Sequence, residues 1–327
     1  MNLSTNMLRA VRRPFVARMY STSGEKASVL IFGGNTTLGR SVTAKLAPHA
    51  SRITIGCLST ADEYNSKNRH QNVSAAFVDI SDQRQVEPLV AEHDVVINMV
   101  GPSIELEYPF VKTHVEGSRN IAHSARKNNT KQLIHVSALG SAPDHPCDWL
   151  DWKYRGEDMA YASFPDATIV KPSLMYSGEK DSTTFVDSII NAHKFLPFIV
   201  LPYYKSLVAP VKVEDVADAI VKVSNVGSES FDAKGKTLLL EGAESESFGN
   251  ALKRLSGKPV LYLPQSYAQF ILAINQFLPG ARLTRDHIGA FEAGDITVEQ
   301  VMSDIFDPRI KENLLTFKDI GINPRKL

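Results

Sequence analysis

Short apolar strands that alternate with helical stretches constrain the fold of this chain more than any other feature of its sequence. Runs rich in Val, Ile and aromatic residues predict strands at 28–32, 52–55, 73–78, 94–98, 132–136 and 167–170. Helical signals between them predict helices at 38–46, 83–91, 111–127 and 149–161. Elements that alternate in this order form βαβ units with parallel strands and right-handed crossovers. The pattern therefore predicts an α/β fold with a doubly wound parallel sheet.

A glycine-rich turn follows the first predicted strand and opens the first predicted helix. Its sequence at 33–40 is Gly-Gly-Asn-Thr-Thr-Leu-Gly-Arg. In a Rossmann-type sheet, the free N–H groups at the start of this helix bind the pyrophosphate of a dinucleotide. Gly33 is expected to permit the tight turn, and Gly39 to let the helix pack closely on the strand. A tight turn without a ligand is the alternative interpretation.

The middle glycine of that pattern is replaced by Thr36 in this chain. Glycine at this position lets the backbone approach the pyrophosphate, and the Cβ of a threonine narrows that approach. The hydroxyl of Thr36, or that of Thr37, is expected to donate a hydrogen bond to phosphate instead.

The end of the second strand usually selects between the two nicotinamide dinucleotides. A carboxylate there binds the ribose diol of NAD, whereas an arginine nearby accommodates the 2′-phosphate of NADP. The position falls near Leu58, which does neither. We predict NADPH rather than NADH because Arg40, at the start of the first helix, is placed to reach a 2′-phosphate, with Lys67 or Arg69 assisting. An ordinary solvated helix position for Arg40 is the alternative.

Other candidate residues stand where further predicted strands end, and ligands of open parallel sheets bind at these carboxyl ends. Asp79 ends the third strand, where adenine is expected to lie. The remaining candidates are Asn98, Val100 and Gly101 after the fourth strand, Ser137 after the fifth, and Lys171, Pro172 and Ser173 after the sixth. Their common location at one edge of the sheet favours a single dinucleotide site.

The first 20 residues have the composition of a mitochondrial presequence. The segment contains Arg9, Arg12, Arg13 and Arg18, together with Ser and Thr, but no Asp or Glu. Such acid-free, Arg-rich segments form basic amphipathic helices that are removed after import. We therefore predict a presequence at 1–20, a dinucleotide-binding Rossmann domain at 21–175 and a smaller, irregular C-terminal α/β portion at 176–327. That last portion is expected to complete the pocket and to contact partners or a membrane.

Charge and hydropathy restrict the classes of partner. The formal net charge is zero, and the basic cluster lies in the presequence, so no nucleic-acid partner is expected. Two apolar stretches, at 195–204 and 267–278, are candidates for core helices or for surfaces that contact a bilayer or a neighbouring subunit. Neither stretch is long enough to predict a transmembrane helix. The nine histidines are scattered, and no metal site is predicted.

Several short motifs together resemble the atypical, extended short-chain dehydrogenase/reductase family. They are Val-Val-Ile-Asn at 95–98, Ile-His-Val-Ser at 134–137, Phe-Pro-Asp-Ala-Thr-Ile-Val-Lys-Pro-Ser at 164–173, Thr-Arg-Asp at 284–286 and Asp-Ile-Gly-Ile at 319–322. Within that family the chain is most similar to the NAD(P)H-binding accessory subunits of mitochondrial respiratory complex I. The resemblance implies a structural NADPH, other complex I subunits as partners, and a peripheral position on the matrix side of the inner membrane, near lipid.

The same resemblance identifies a change at the position of the catalytic group. Lys153 corresponds to the active-site lysine of the family, and Trp149 stands where its tyrosine would be. The tyrosine exchanges a proton with the substrate, whereas an indole N–H only donates and does not titrate usefully. We therefore predict no catalytic residue. The predicted cofactor-binding residues are Gly33, Gly34, Thr36, Thr37, Leu38, Gly39, Arg40, Leu58, Asp79, Asn98, Val100, Gly101, Ser137, Lys153, Lys171, Pro172 and Ser173.

Two other functions remain open on the sequence. The first is a mitochondrial NADPH-dependent reductase, or a coenzyme Q biosynthesis protein of the same family, that uses another proton donor. Tyr108, His135 and Tyr154 are the candidates for that donor. The second is a dinucleotide sensor that changes partners with redox state.

Overall fold

The structure is a computed structural model that describes residues 26–58, 70–102, 108–202, 205–227, 229–264, 290, 294–305 and 308–326. Its strands are β1 (Ser28–Phe32), β2 (Arg52–Cys57), β3 (Val73–Phe77), β4 (Val95–Asn98), β5 (Gln132–Val136), β6 (Thr168–Pro172), β7 (Met175–Tyr176), β8 (Ile199–Pro202), β9 (Leu207–Val208), β10 (Val211–Lys212), β11 (Thr237–Leu240), β12 (Glu246–Ser247), β13 (Val260–Leu263) and β14 (Leu314–Thr316). Its α-helices are α1 (Thr37–Leu46), α2 (Gln83–Ala91), α3 (Gly117–Lys127), α4 (Asp148–Ser163), α5 (Phe185–Ala192), α6 (Val213–Ser224), α7 (Phe248–Ser256), α8 (Val298–Asp304) and α9 (Pro308–Lys311). A π-helix, Val111–Glu116, leads directly into α3.

Eight strands form one sheet in the order β14-β11-β6-β5-β4-β1-β2-β3, and every pairing in it is parallel. The chain order reverses between β1 and β4, which is where doubly wound sheets bind ligands outside the carboxyl ends of their strands. The predicted fold class, a Rossmann-type doubly wound parallel sheet, is therefore confirmed. Three two-stranded pairs, β7 with β10, β9 with β12 and β8 with β13, accompany the sheet in the described part of the chain.

Helices cover both faces of the sheet, so its central strands are buried on both sides. β1 is buried along its whole length. On one face Val42 and Leu46 of α1 share an apolar core with Ile31, and on the other face Ile121 of α3 shares a second core with Leu30. Burial on both faces explains why the strands read as continuous apolar runs rather than as alternating patterns.

The part of the chain beyond residue 175 contributes to this sheet. β11 pairs with β6 and β14 pairs with β11, so the second part of the chain supplies two of the eight strands. α6 also packs against α1. The division into a domain at 21–175 and a portion at 176–327 stays a prediction, and the main sheet runs across it.

The apolar stretch at 195–204 has two different environments. Ile199 and Leu201 in β8 are buried, whereas Phe195 is 89% exposed. The described residues do not include the segment at 1–20 that was predicted to be a presequence, the stretch at 267–278, the motif at 284–286, Lys67 or Arg69. Among the described helices, none is long and apolar enough to cross a membrane.

Candidate dinucleotide-binding site

The turn between β1 and α1 requires glycine at two positions. Gly33 has φ +80°, and a Cβ on it would lie 2.9 Å from the carbonyl carbon of Met99. A Cβ on Gly39 would lie 2.5 Å from the backbone oxygen of Gly33 and 2.5 Å from the Cα of Gly34. These contacts are with backbone, which cannot rotate away. The close approach of α1 to β1 therefore depends on Gly39 lacking a side chain, and the close approach of the turn to Met99 depends on Gly33 lacking one.

Thr36 is the N-cap of α1 and uses its hydroxyl inside the turn. The Oγ1 of Thr36 donates to the backbone oxygen of Gly33 at 2.9 Å and accepts from the backbone N–H of Gly39 at 3.1 Å. Threonine favours this position because its oxygen satisfies an N–H that the helix leaves without a partner. In this arrangement the proton that Thr36 was expected to donate to phosphate is already donated to Gly33.

The segment at 177–184, here called the strap loop, contacts the start of α1. The Oγ1 of Thr183 accepts from the backbone N–H of Thr37 at 3.0 Å, and the backbone N–H of Thr183 donates to the Oγ1 of Thr37 at 2.8 Å. Arg40 in the first turn of α1 pairs with Glu179 of the strap loop at 3.2 Å. Neither Thr183 nor Glu179 was predictable as a site residue, because these contacts join segments far apart in the chain.

A cavity of about 190 Å³ lies at the carboxyl ends of the central strands. Predicted residues that line it are Thr36, Leu38, Gly101, Ser137, Lys153, Pro172 and Ser173. Trp149, Leu150 and Phe185 form part of its apolar wall. The Oγ of Ser173 is buried and has no hydrogen-bond partner among the described residues, so it is available to a ligand in the cavity.

Lys153 reaches the cavity from the middle of α4. Its Nζ donates to the backbone oxygen of Val136 at 3.2 Å, and it occupies the space that a side chain on Gly101 would fill. Trp149 lies one helical turn earlier and lines the same cavity. Burial lowers the pKa of Lys153 from 10.5 to about 8, against a smaller opposing effect of the Glu157 carboxylate.

The depressed pKa of Lys153 predicts a specific dependence of stability on pH. Between about pH 8 and pH 10.5 the folded chain has released this proton while the unfolded chain still holds it. The free energy of unfolding of the wild type should therefore rise through this window relative to Lys153→Met, by on the order of 2–3 kcal/mol. Urea unfolding of the nucleotide-free chain at several pH values measures the difference. Lys318→Met, at an exposed position, is the control and should run parallel to the wild type.

Parallel curves for Lys153→Met and the wild type would contradict a buried, largely desolvated ammonium group at this position.

The candidates for an alternative proton donor do not line the cavity. His135 is buried, its Nδ1 lies 3.1 Å from the Nδ2 of Asn98, and burial together with the nearby Lys153 charge lowers its pKa to about 3. Tyr154 is paired with Asp158, and burial raises its pKa. Tyr108 is 39% exposed. The geometry therefore gives no support to proton transfer from these three groups into the cavity.

Glu157 is a buried site residue that the sequence analysis did not identify. Its carboxylate pairs with the Nζ of Lys171 at 3.1 Å and accepts hydrogen bonds from the hydroxyls of Ser137 and Ser141. The hydroxyl of Ser137 is thus engaged beside the cavity rather than directed at a substrate. Glu157 lies four residues after Lys153, a spacing that puts both side chains on one helix face, so the position was detectable in principle.

The residues predicted for the adenosine end lie further along the same edge. Leu58 directly follows β2. Asp79 follows β3, and its Oδ1 accepts from the N–H and the hydroxyl of Ser81, both at 2.8 Å. Asn98 ends β4, and its Oδ1 accepts from the backbone N–H of Val100 at 3.1 Å. These positions stand at or just after the carboxyl ends of their strands, and they are not among the residues that line the cavity.

The comparison with protein families agrees with this geometry. Residues 33–225 match a family model described as NAD(P)H-binding. The chain belongs to this NAD(P)H-binding family. The matched region contains the glycine turn, Lys153 and the strap loop.

Two mitochondrial proteins are also similar to the chain over most of its length. The NADH-ubiquinone oxidoreductase 40 kDa subunit, mitochondrial, of Neurospora crassa is 26% identical over 93% of this chain and 77% of its own length. The NADH dehydrogenase [ubiquinone] 1 alpha subcomplex subunit 9, mitochondrial, of Rattus norvegicus is 26% identical over 94% of this chain and 78% of its own length. These matches confirm the resemblance drawn from the sequence motifs.

Solved structures show the same fold. The Bordetella bronchiseptica enzyme WbmG in complex with NAD superposes with a TM-score of 0.61 at 14% identity, over 95% of this chain and 92% of that one. At this identity the likeness concerns the fold alone.

The described residues fit a nicotinamide dinucleotide, on the condition that one contact at the start of α1 opens. The positive φ of Gly33, the orphaned Oγ of Ser173 and the amine of Lys153 are features that a nucleotide in this cavity would use. The backbone N–H of Thr37, where a pyrophosphate is expected, already donates to Thr183. A phosphate can take this N–H only when that contact opens.

Proposed function

We propose that this chain is an accessory subunit of mitochondrial respiratory complex I (NADH:ubiquinone oxidoreductase) that holds NADPH as a structural group. The similarity to the Neurospora crassa 40 kDa subunit over 93% of the chain carries this proposal. The position of Trp149 supports the non-catalytic part, because no tyrosine that would exchange a proton with a substrate is among the described residues of the cavity wall beside Lys153.

Each part of the site has a defined role in this proposal. When bound, the dinucleotide supplies a nicotinamide capable of hydride transfer. Lys153 binds the nicotinamide ribose, and Ser173 donates to the ligand in the cavity. The N–H groups at the start of α1 bind the pyrophosphate, and Asp79 and Leu58 flank the adenosine. A ligand that binds only the folded state adds stability by mass action, which gives a non-reacting nucleotide a function.

Arg40 is proposed to select NADPH over NADH. Arg40→Ala should lower the ratio of NADPH affinity to NADH affinity roughly tenfold, because charge-assisted hydrogen bonds to a 2′-phosphate would be lost. Isothermal titration of both nucleotides into the wild type and the variant measures the ratio. The ratio is informative because the loss of the Arg40–Glu179 pair changes both affinities alike. An unchanged ratio would remove the 2′-phosphate role from Arg40.

The partners in this proposal are other complex I subunits and the lipid surface on the matrix face of the inner membrane. The portion at 176–327 provides these contacts and completes the pocket, and the segment at 1–20 directs import. Phe195, the first residue of the apolar stretch at 195–204, is 89% exposed, which supports an interface on the portion at 176–327.

A native gel of gently solubilised mitochondrial membranes, with this chain tagged, tests the proposal. Co-migration of the tag with NADH-dehydrogenase activity in the megadalton range is the expected result. Migration as a monomer or a small complex, together with NADPH oxidation by quinones or carbonyl compounds, would favour the reductase instead. The same purified chain is expected to show no such oxidation.

A further inference from the structure

We infer that the strap loop competes with the nucleotide, so that Thr183 and Glu179 occupy the pyrophosphate and phosphate contacts of the site until a dinucleotide displaces them. This inference rests on the proposed nucleotide site and names how that site is regulated. It concerns the contacts between the strap loop and the first turn of α1.

Thr183 uses the group that a pyrophosphate needs. The backbone N–H of Thr37 points out of the start of α1 and donates to the Oγ1 of Thr183 at 3.0 Å. A single N–H at this distance is directed at one acceptor, so a phosphate oxygen and the Thr183 hydroxyl exclude each other there. The reverse contact, from the backbone N–H of Thr183 to the Oγ1 of Thr37 at 2.8 Å, holds the loop in that place.

Glu179 makes the second contact of the same kind. Its carboxylate pairs with the guanidinium of Arg40 at 3.2 Å, as an anionic ligand group would. Both side chains are partly exposed, at 41% for Arg40 and 55% for Glu179, so the pair is weak enough to be exchanged. One acceptor and one carboxylate of the strap loop therefore stand where a dinucleotide would present its own oxygens.

Asp187 in the first turn of α5 keeps the strap loop in a defined shape. Its carboxylate accepts from the backbone N–H groups of Ser177 at 2.8 Å and Gly178 at 3.2 Å, at one end of the loop. At the other end it accepts from the hydroxyl of Thr184 at 2.8 Å. The loop is anchored at both ends by one buried carboxylate, while Glu179 and Thr183 between the anchors contact α1.

The arrangement predicts a measurable reduction in apparent affinity. When the competent state is only a fraction of the population, the apparent dissociation constant rises by the inverse of that fraction. Weakening the strap should therefore tighten nucleotide binding without adding a contact to the nucleotide.

The test is titration calorimetry of NADPH with the full chain and three variants. Thr183→Val keeps the shape of the side chain but removes the hydroxyl, and Glu179→Gln removes the charge of the second contact. Each should lower the dissociation constant for NADPH about fivefold, since one exposed polar contact is worth that order of effect. Lys180→Gln, in the same loop with an exposed side chain, is the control and should bind as the wild type does.

Hydrogen exchange is a second measurement, and it distinguishes a strap loop that competes with the nucleotide from a strap loop that closes over it. Backbone amides at 177–184 should exchange faster when NADPH is added, because the ligand displaces the loop. Slower exchange, with weaker binding by Thr183→Val, would overturn the inference and make the loop a lid over the nucleotide. Unchanged affinity in both variants would also overturn it and leave the proposed nucleotide site intact. If neither the wild type nor any variant binds NADPH, the nucleotide is removed from the proposed function. The inferred competition between the strap loop and the nucleotide is then removed as well.

Discussion

Replacing Lys171 with methionine is expected to lower the free energy of unfolding by roughly 3–5 kcal/mol, because it leaves the Glu157 carboxylate buried without its cation. The two side chains are only 9% and 8% exposed, and their atoms lie 3.1 Å apart. Water cannot take over the role of the ammonium group at such a position. Urea denaturation at neutral pH measures the loss.

Two further variants isolate the cause of that loss. The double variant Glu157→Gln with Lys171→Met removes both charges and keeps an acceptor for Ser137 and Ser141, so most of the stability should return. Lys127→Met breaks an ion pair with Glu87 in which the lysine is 56% exposed, and it should cost below about 1 kcal/mol. Equal losses of stability in Lys171→Met and Lys127→Met would contradict the claim that burial makes the Lys171–Glu157 pair costly to break.

Gly39→Ala is expected to destabilise the chain by roughly 3 kcal/mol or more, although alanine favours helix formation by about 1 kcal/mol over glycine. The new Cβ would lie 2.5 Å from the oxygen of Gly33 and the Cα of Gly34. Both are backbone atoms of the tight turn, so α1 would have to move away from β1. Thermal and urea unfolding measure the loss of stability.

Gly117→Ala is the matched control because Gly117 also lies in a helix and gains the same helix propensity. Its added Cβ would lie 2.4 Å from Cδ1 and 2.8 Å from Cγ1 of Ile80 and 3.3 Å from the backbone oxygen of Lys112, so the closest contacts are with a side chain rather than with backbone of the tight turn. It should therefore cost clearly less than Gly39→Ala. A loss in Gly117→Ala as large as that in Gly39→Ala would contradict the assignment of the close helix–strand approach to Gly39.

The central strands were predictable because both of their faces are buried. The predicted bounds of β1 and β5 equal those observed, since each is a short run of buried side chains that ends at a change in composition. β6 extends two residues beyond its predicted end because Lys171 and Pro172 continue the strand. A lysine is not expected in a buried strand, so the position of Lys171 in β6 could be predicted only if its partner, Glu157, were known.

The glycine turn was predictable for a similar reason, since backbone geometry restricts position 33 to a residue that tolerates positive φ. The strap loop was not. The contact of Thr183 with Thr37 joins residues 146 positions apart, and neither side chain belongs to a repeating pattern. The role observed for Thr36 also differs from the one predicted. Its hydroxyl donates a local hydrogen bond to the backbone oxygen of Gly33, so this proton is already used before a ligand binds.

The nucleotide content of the assembly tests the central claim most directly. Complex I would be isolated from mitochondria through a tag on this chain, dialysed free of exchangeable nucleotides, denatured, and analysed by mass spectrometry. We expect stoichiometric release of NADPH, and a lower content when Lys153→Met replaces the wild-type chain in the complex. Complex I that contains this chain but releases no dinucleotide, or a tag that isolates no complex I subunits, would contradict the claim.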